Sequence, residues 1–142
     1  PLDLLLVNLK LQGIIDTDLT SLAPLVDLVA EATDWTVPVN YPVFGKDAFR
    51  TGTGVHAAAV VKALRTGDSL LADQIYSGVP AGWFGRDQEI EVGPMAGKWN
   101  IIFWLESHGY EASDNNIQCL FSKAKKSERM LTDDELHQAL KA

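Results

Sequence analysis

The chain has 142 residues, 46% of them hydrophobic, with 12 basic and 19 acidic side chains and a net charge of −7. That length fits one domain or a piece of a larger protein, and the acidic balance argues against a nucleic-acid partner, which needs excess Lys and Arg to neutralise phosphates. No apolar run reaches the roughly 18 residues of a membrane span, and Cys119 is the single cysteine, which excludes an intrachain disulfide or a cysteine-based metal site and suits a reducing, cytoplasmic setting.

LDLLLVNLKL (2–11) reads as a helix that is apolar on nearly every side except Asn8 and Lys10, with Gly13 as its C-terminal stop. Such a helix needs cover all round and is expected to dock against something. The chain starts at Pro1, without methionine, which is expected of a fragment or processed chain. A second helix is capped by Ser21 with Pro24 in its first turn, carries the stripe Leu22, Leu25, Leu28, Val29 and Ala32, and ends near Thr33-Asp34. WTVPVNYPVFG (35–45) cannot be helical, because two prolines and β-branched residues favour an extended connector, the main linker of the chain.

Helical signals resume from Val55 to about Arg65, followed by a short helix over 69–75, a Gly/Pro-rich loop (78–87) and a short strand or edge segment at 88–93. The last third reads as three helices: 96–109 stopped by Gly109, 113–127 capped by Ser113 or Asp114, and a final one opened by Thr132 and Glu135 at capping-box spacing. Leu131 and Leu136 flank that start as a hydrophobic staple. The fold class expected is mainly α, a small helical bundle with an extended Pro-rich linker and a short strand or edge segment.

Reactive constellations are few. His56, His108 and His137 have no second His or carboxylate at HxH or HExxH spacing, so a self-contained metal site is not expected. His108 precedes a helix stop, where a cation suits the helix dipole, and His137 reads as solvated. Glu89 and Glu91 fit a solvent-facing edge, and Lys123, Lys125 and Lys126 a solvated helix face. GPMAGK (93–98) lacks the Ser or Thr of a phosphate loop, since Trp99 follows Lys98. His56 stands apart. Gly52 and Gly54 permit a tight turn just before it, and a helix N-terminus favours the neutral imidazole, the form that accepts a proton. By residue chemistry alone it either packs or caps there, or takes part in proton transfer.

Three segments in order, FRTGTGVHAAAVVKA, IYSGVPAGWFGR and GPMAGKWNI, resemble the 2-isopropylmalate synthase/homocitrate synthase family. PLDLLLVNLKL is similar to the family's chain late in its catalytic barrel. The resemblance covers nearly the whole chain and is strongest over 38–104. It implies an acyltransferase that condenses acetyl-CoA with a 2-oxo acid held by a divalent metal in a (β/α)8 barrel, acting as a cytoplasmic homodimer in amino-acid biosynthesis such as that of leucine. The implied organisation is residues 1–35 as terminal helices of a truncated barrel, 36–95 as linker and first helical subdomain, and 96–142 as a second.

The family's F-x-H-x-(S/A)-G-I-H segment falls on Phe49 to His56, making His56 the histidine that assists proton transfer, with Thr51 in place of the earlier histidine. Its Tyr-Glu-x-(I/V)-x-P-x-x-(V/F)-G pattern falls on Tyr76 to Gly85, making Tyr76 a hydrogen-bonding partner, with Ser77 in place of the Glu. The metal ligands lie in the absent barrel, so this chain alone is expected to be inactive. The competing expectation is a non-catalytic helical interaction module.

Overall fold

A computed structural model describes residues 1–141. It contains seven α-helices among the described residues, α1 (Leu2–Leu11), α2 (Leu22–Thr33), α3 (Gly54–Arg65), α4 (Ser69–Gln74), α5 (Lys98–Ser107), α6 (Asp114–Lys126) and α7 (Asp133–Lys141), with a 3-10 turn at Ala81–Phe84. Two short strands, β1 (Arg50–Thr51) and β2 (Glu89–Ile90), pair in parallel with Arg50 opposite Glu89. The mainly α class expected from the sequence is therefore found. The contacts group the chain into two units: Pro1–Phe49 with Ser69–Gln88, and Arg50–Asp68 with Glu89 onward. The chain crosses between these units after Phe49, Asp68 and Gln88.

In the first unit α1 ends where Gly13 adopts a left-handed φ of 68° and the Ile14 N–H returns to the Leu9 carbonyl. Pro24 sits in the first turn of α2, where its missing N–H has no intrahelical role. The buried face of α2 is Leu22, Ala23 and Val26; Leu25, Leu28 and Val29 of the expected stripe are exposed. The core collects Val7, Leu19, Leu22, Val26, Val43, Phe44 and Phe84. The 35–45 segment contains no helix or strand, as its prolines require, yet from residue 39 it winds through successive turns rather than running open. Those turns carry Val43 and Phe44 into the core, at the cost of a positive φ of 66° at Val43 and 63° at Phe49. Gly85, also left-handed, lies so close to the Thr20 carbonyl that no side chain fits there.

The second unit is built on α5, α6 and α7, whose core joins Ile101, Trp104, Leu105, Ile117, Leu120, Ala124 and Leu136. Ser113 caps α6 by accepting the Asn116 N–H. At α7 the expected capping box forms: Glu135 accepts from the Thr132 N–H at 2.9 Å, and its own N–H faces the Thr132 hydroxyl. Leu136 is buried and Leu131 packs against the same core. His137 is not simply solvated. Its Nδ1 shares a hydrogen bond with the Tyr110 hydroxyl at 2.9 Å, and its ring leans on Trp104, whose indole N–H donates to Asp133 at 2.7 Å. His108 stacks on the same indole at 4.3 Å and bonds the Trp104 carbonyl through Nδ1.

The start of α7 is sensitive to acid. Hydrogen bonds from the Arg129 guanidinium, then from the Thr132 backbone, pull the Glu135 carboxyl down to about 2. A carboxylate whose pKa is lowered on folding stabilises the fold above its unfolded value, and that contribution fades as pH falls through the folded one. We expect the Thr132 amide resonance to lose its hydrogen-bonded shift in a transition centred at about pH 2, well below the ordinary carboxylate range. Glu135→Gln should abolish this transition in an NMR titration.

Candidate functional site

The strand pair of the second unit delivers two chain segments to one place. After β1 the chain passes Gly52 and Thr53 into α3; after β2 it loops through residues 91–97 into α5. Arg50 ties the strands by pairing with Glu91 and lying 3.7 Å from Glu89, so these two carboxylates are not a merely solvated edge. The two helix starts then meet backbone to backbone. A Cβ on Gly54 would lie 2.7 Å from the Gly97 Cα and N, and one on Gly97 would lie 2.9 Å from the Gly54 Cα. The Gly54 N–H donates to the Met95 carbonyl at 3.0 Å. Glycine at both positions is therefore a steric requirement.

The loop entering α5 is held from two sides. Asn100 is fully buried; its Oδ1 accepts the Gly97 N–H at 2.9 Å and its Nδ2 donates to the Glu91 carbonyl at 2.8 Å. From α6, the Lys125 ammonium donates to the Pro94 and Ala96 carbonyls, both at 2.8 Å. Lys123 donates to the Glu135 carbonyl. Two of the three lysines read as a solvated face are thus anchors. The links from Asn100 to the Glu91 carbonyl and from Lys125 to the loop were not recognisable in the sequence, because these main-chain carbonyls lie 9 to 31 residues away.

His56 is the third residue of α3, two positions after Gly54, with Thr53 as N-cap. Its side chain is exposed while the next residue, Ala57, is fully buried, so the packed face of α3 turns the imidazole outward. The sequence reading of His56 at a tight helix entry is matched by this placement. Tyr76 belongs to the first unit, just past α4, and is 53% exposed. Ser77 closes its own local turn, its hydroxyl donating to the Val79 carbonyl at 2.8 Å, so it supplies a fold to the loop rather than the charge of a carboxylate. Downstream, the Asp73 carboxylate accepts from the Gly82 N–H at 2.9 Å and from Gln88 at 3.1 Å, and Arg86 donates to the Val43 carbonyl at 3.2 Å. Among the described residues no three His, Cys, Asp or Glu side chains come together as a metal site, so the metal implied by the resemblance has no fitting ligand set there.

No protein-family model matches the chain. It is 34% identical over 110 residues to homocitrate synthase of Pyrococcus abyssi, covering 78% of this chain and 28% of that protein. It is 31% identical over 98 residues to a probable 2-isopropylmalate synthase of Archaeoglobus fulgidus (69% of this chain, 18% of that one). To (R)-citramalate synthase of Aquifex aeolicus it is 30% identical over 114 residues (79% and 20%). The chain belongs to this 2-isopropylmalate synthase and homocitrate synthase family, and spans less than a third of the length of these curated relatives.

The glycine contact can be tested directly. Gly54→Ala forces a methyl into the Gly97 backbone, and overpacking of this kind costs about 1–3 kcal/mol. A lowered melting temperature by calorimetry, with Gly78→Ala, whose Cβ would meet nothing within 4 Å, as the near-neutral control, is the expected result.

Proposed function

We propose that this chain is the active-site-completing, helical part of a synthase that condenses acetyl-CoA with a 2-oxo acid, of the 2-isopropylmalate synthase kind, with His56 as its proton-transfer residue and Tyr76 as a hydrogen-bonding partner. The observation that carries the reading is the placement of His56, exposed in the first turn of a helix whose start is fixed by a backbone contact. The relatives' names support the reaction class. In the condensation a proton leaves the acetyl methyl, the carbon so exposed bonds the oxo carbon, and the oxo oxygen takes up the electron pair and a proton. Water then cleaves the thioester, releasing the CoA thiol and a carboxylate. An imidazole can accept or return one of these protons near neutral pH. The divalent metal, when bound in the barrel of the whole protein, polarises the 2-oxo acid. In this reading the whole protein works as a cytoplasmic homodimer in amino-acid biosynthesis, and turnover needs the barrel's metal ligands beside the residues described here.

One observation favours a second reading, the non-catalytic interaction module. Leu2, Leu5, Leu25, Leu28 and Val29 leave an apolar face of the first unit exposed, which is suited to docking. The readings part on turnover in the full-length protein. We expect His56→Ala to lower kcat about 100-fold, the low end of general acid–base contributions. Tyr76→Phe, which removes one hydrogen bond worth about 1 kcal/mol, should cost roughly fivefold. Wild-type turnover of acetyl-CoA with 2-oxoisovalerate, 2-oxoglutarate and pyruvate in both variants, measured by thiol release, would leave the docking reading standing.

A further inference from the structure

We infer that Lys125 is a positioning residue for His56, acting through the loop that leads from β2 into α5; the inference rests on the catalytic reading of His56. The first N–H groups of a helix have no partner within it, so what they bond to decides where the helix begins. For α3 that partner is the Met95 carbonyl, which accepts the Gly54 N–H at 3.0 Å. Met95 lies between Pro94 and Ala96, and the carbonyls of both neighbours are held at 2.8 Å by the one ammonium of Lys125. These are charge-assisted bonds, stronger than neutral ones. With Asn100 holding the Glu91 carbonyl and the Gly97 N–H, the loop is gripped on each side of the acceptor that starts α3. His56 follows Gly54 by two residues, and a helix turns once per 3.6 residues. A shift at the helix start therefore swings the imidazole.

A basic residue in the last turn of a helix also suits its dipole, and α6 carries Lys123, Lys125 and Lys126 there. Lys123 reaches the Glu135 carbonyl instead of this loop, so it shares the dipole role and lacks the clamp. That makes Lys123→Met the control. Lys125→Met keeps the aliphatic stem and removes the donor; Lys125→Arg restores a cation able to donate to two carbonyls.

The test uses the full-length protein. Hydrogen–deuterium exchange by mass spectrometry over residues 52–58 should quicken at least about tenfold in Lys125→Met, return most of the way in Lys125→Arg and stay unchanged in Lys123→Met. Misplacing a catalytic group by a fraction of an ångström is enough to lose about tenfold in rate. Lys125→Met should accordingly lower kcat by about that factor with KM within about twofold, the pattern of an interaction used in the transition state. Unchanged exchange in Lys125→Met, or an equal rise in Lys123→Met, overturns the inference. So does wild-type kcat in Lys125→Met when His56→Ala is impaired. The two ideas fail separately: full activity in His56→Ala removes the catalytic reading, and the exchange of residues 52–58 still decides the clamp.

Discussion

The contact between Gly54 and Gly97 is the constraint on which the rest of the second unit depends. Two strands of two residues each cannot hold a structure by their own ladder. What holds them is that both chains enter helices at the same point with no side chain between. α3 and α5 start at this contact and meet again near their ends, where Arg65 donates twice to Glu106, at 2.6 and 2.9 Å. Between these points Ala57, Val60 and Val61 of α3 are buried to within 1%. Removing one ångström of approach at the glycines would open the whole seam, because small residues along it leave nothing to fill the gap.

A close backbone approach brings unpaired polar groups with it. Buried N–H and C=O groups must find partners, and the second unit solves this with two side chains of opposite character. Asn100 is neutral, fully buried and satisfied at both ends of its amide. Lys125 comes from the surface and leaves its stem along Phe121, with the ammonium 5.0 Å from that ring. The first unit meets the same demand differently. Its 39–49 turns hold a β-branched residue at positive φ, an arrangement that costs on the order of 1–3 kcal/mol, and it is offset by burying Val43 and Phe44 and by the Arg86 bond to the Val43 carbonyl.

How much of this could be read beforehand follows from where the information lies. Helix starts and stops are local chemistry, so Gly13, Ser113 and the Thr132–Glu135 box were legible, and each forms. The parallel strand pair was half legible: the edge at 88–93 was expected, whereas Arg50–Thr51, two residues long, carries no period to detect. The stripe on α2 misled in part, since periodicity reports an apolar face and not what covers it; Leu25, Leu28 and Val29 are exposed. Gly52 and Gly54 did announce a tight entry before His56, but the reason for Gly54 is Gly97, 43 positions on, and no spacing rule reaches that far. His137 was read from its own helix as polar-facing, and its partners Trp104 and Tyr110 come from elsewhere in the unit.

The exposure of His56 bears on what its chemistry requires. Proton transfer from carbon needs a site from which water is excluded, because fixed dipoles act strongly only where the dielectric is low. The second unit offers His56 no such enclosure: Val55 beside it is 76% exposed, and the packed side of α3 faces the other way. In the catalytic reading, then, the walls of the site come from outside this unit. What the unit itself supplies is direction, through a helix start too tightly packed to drift.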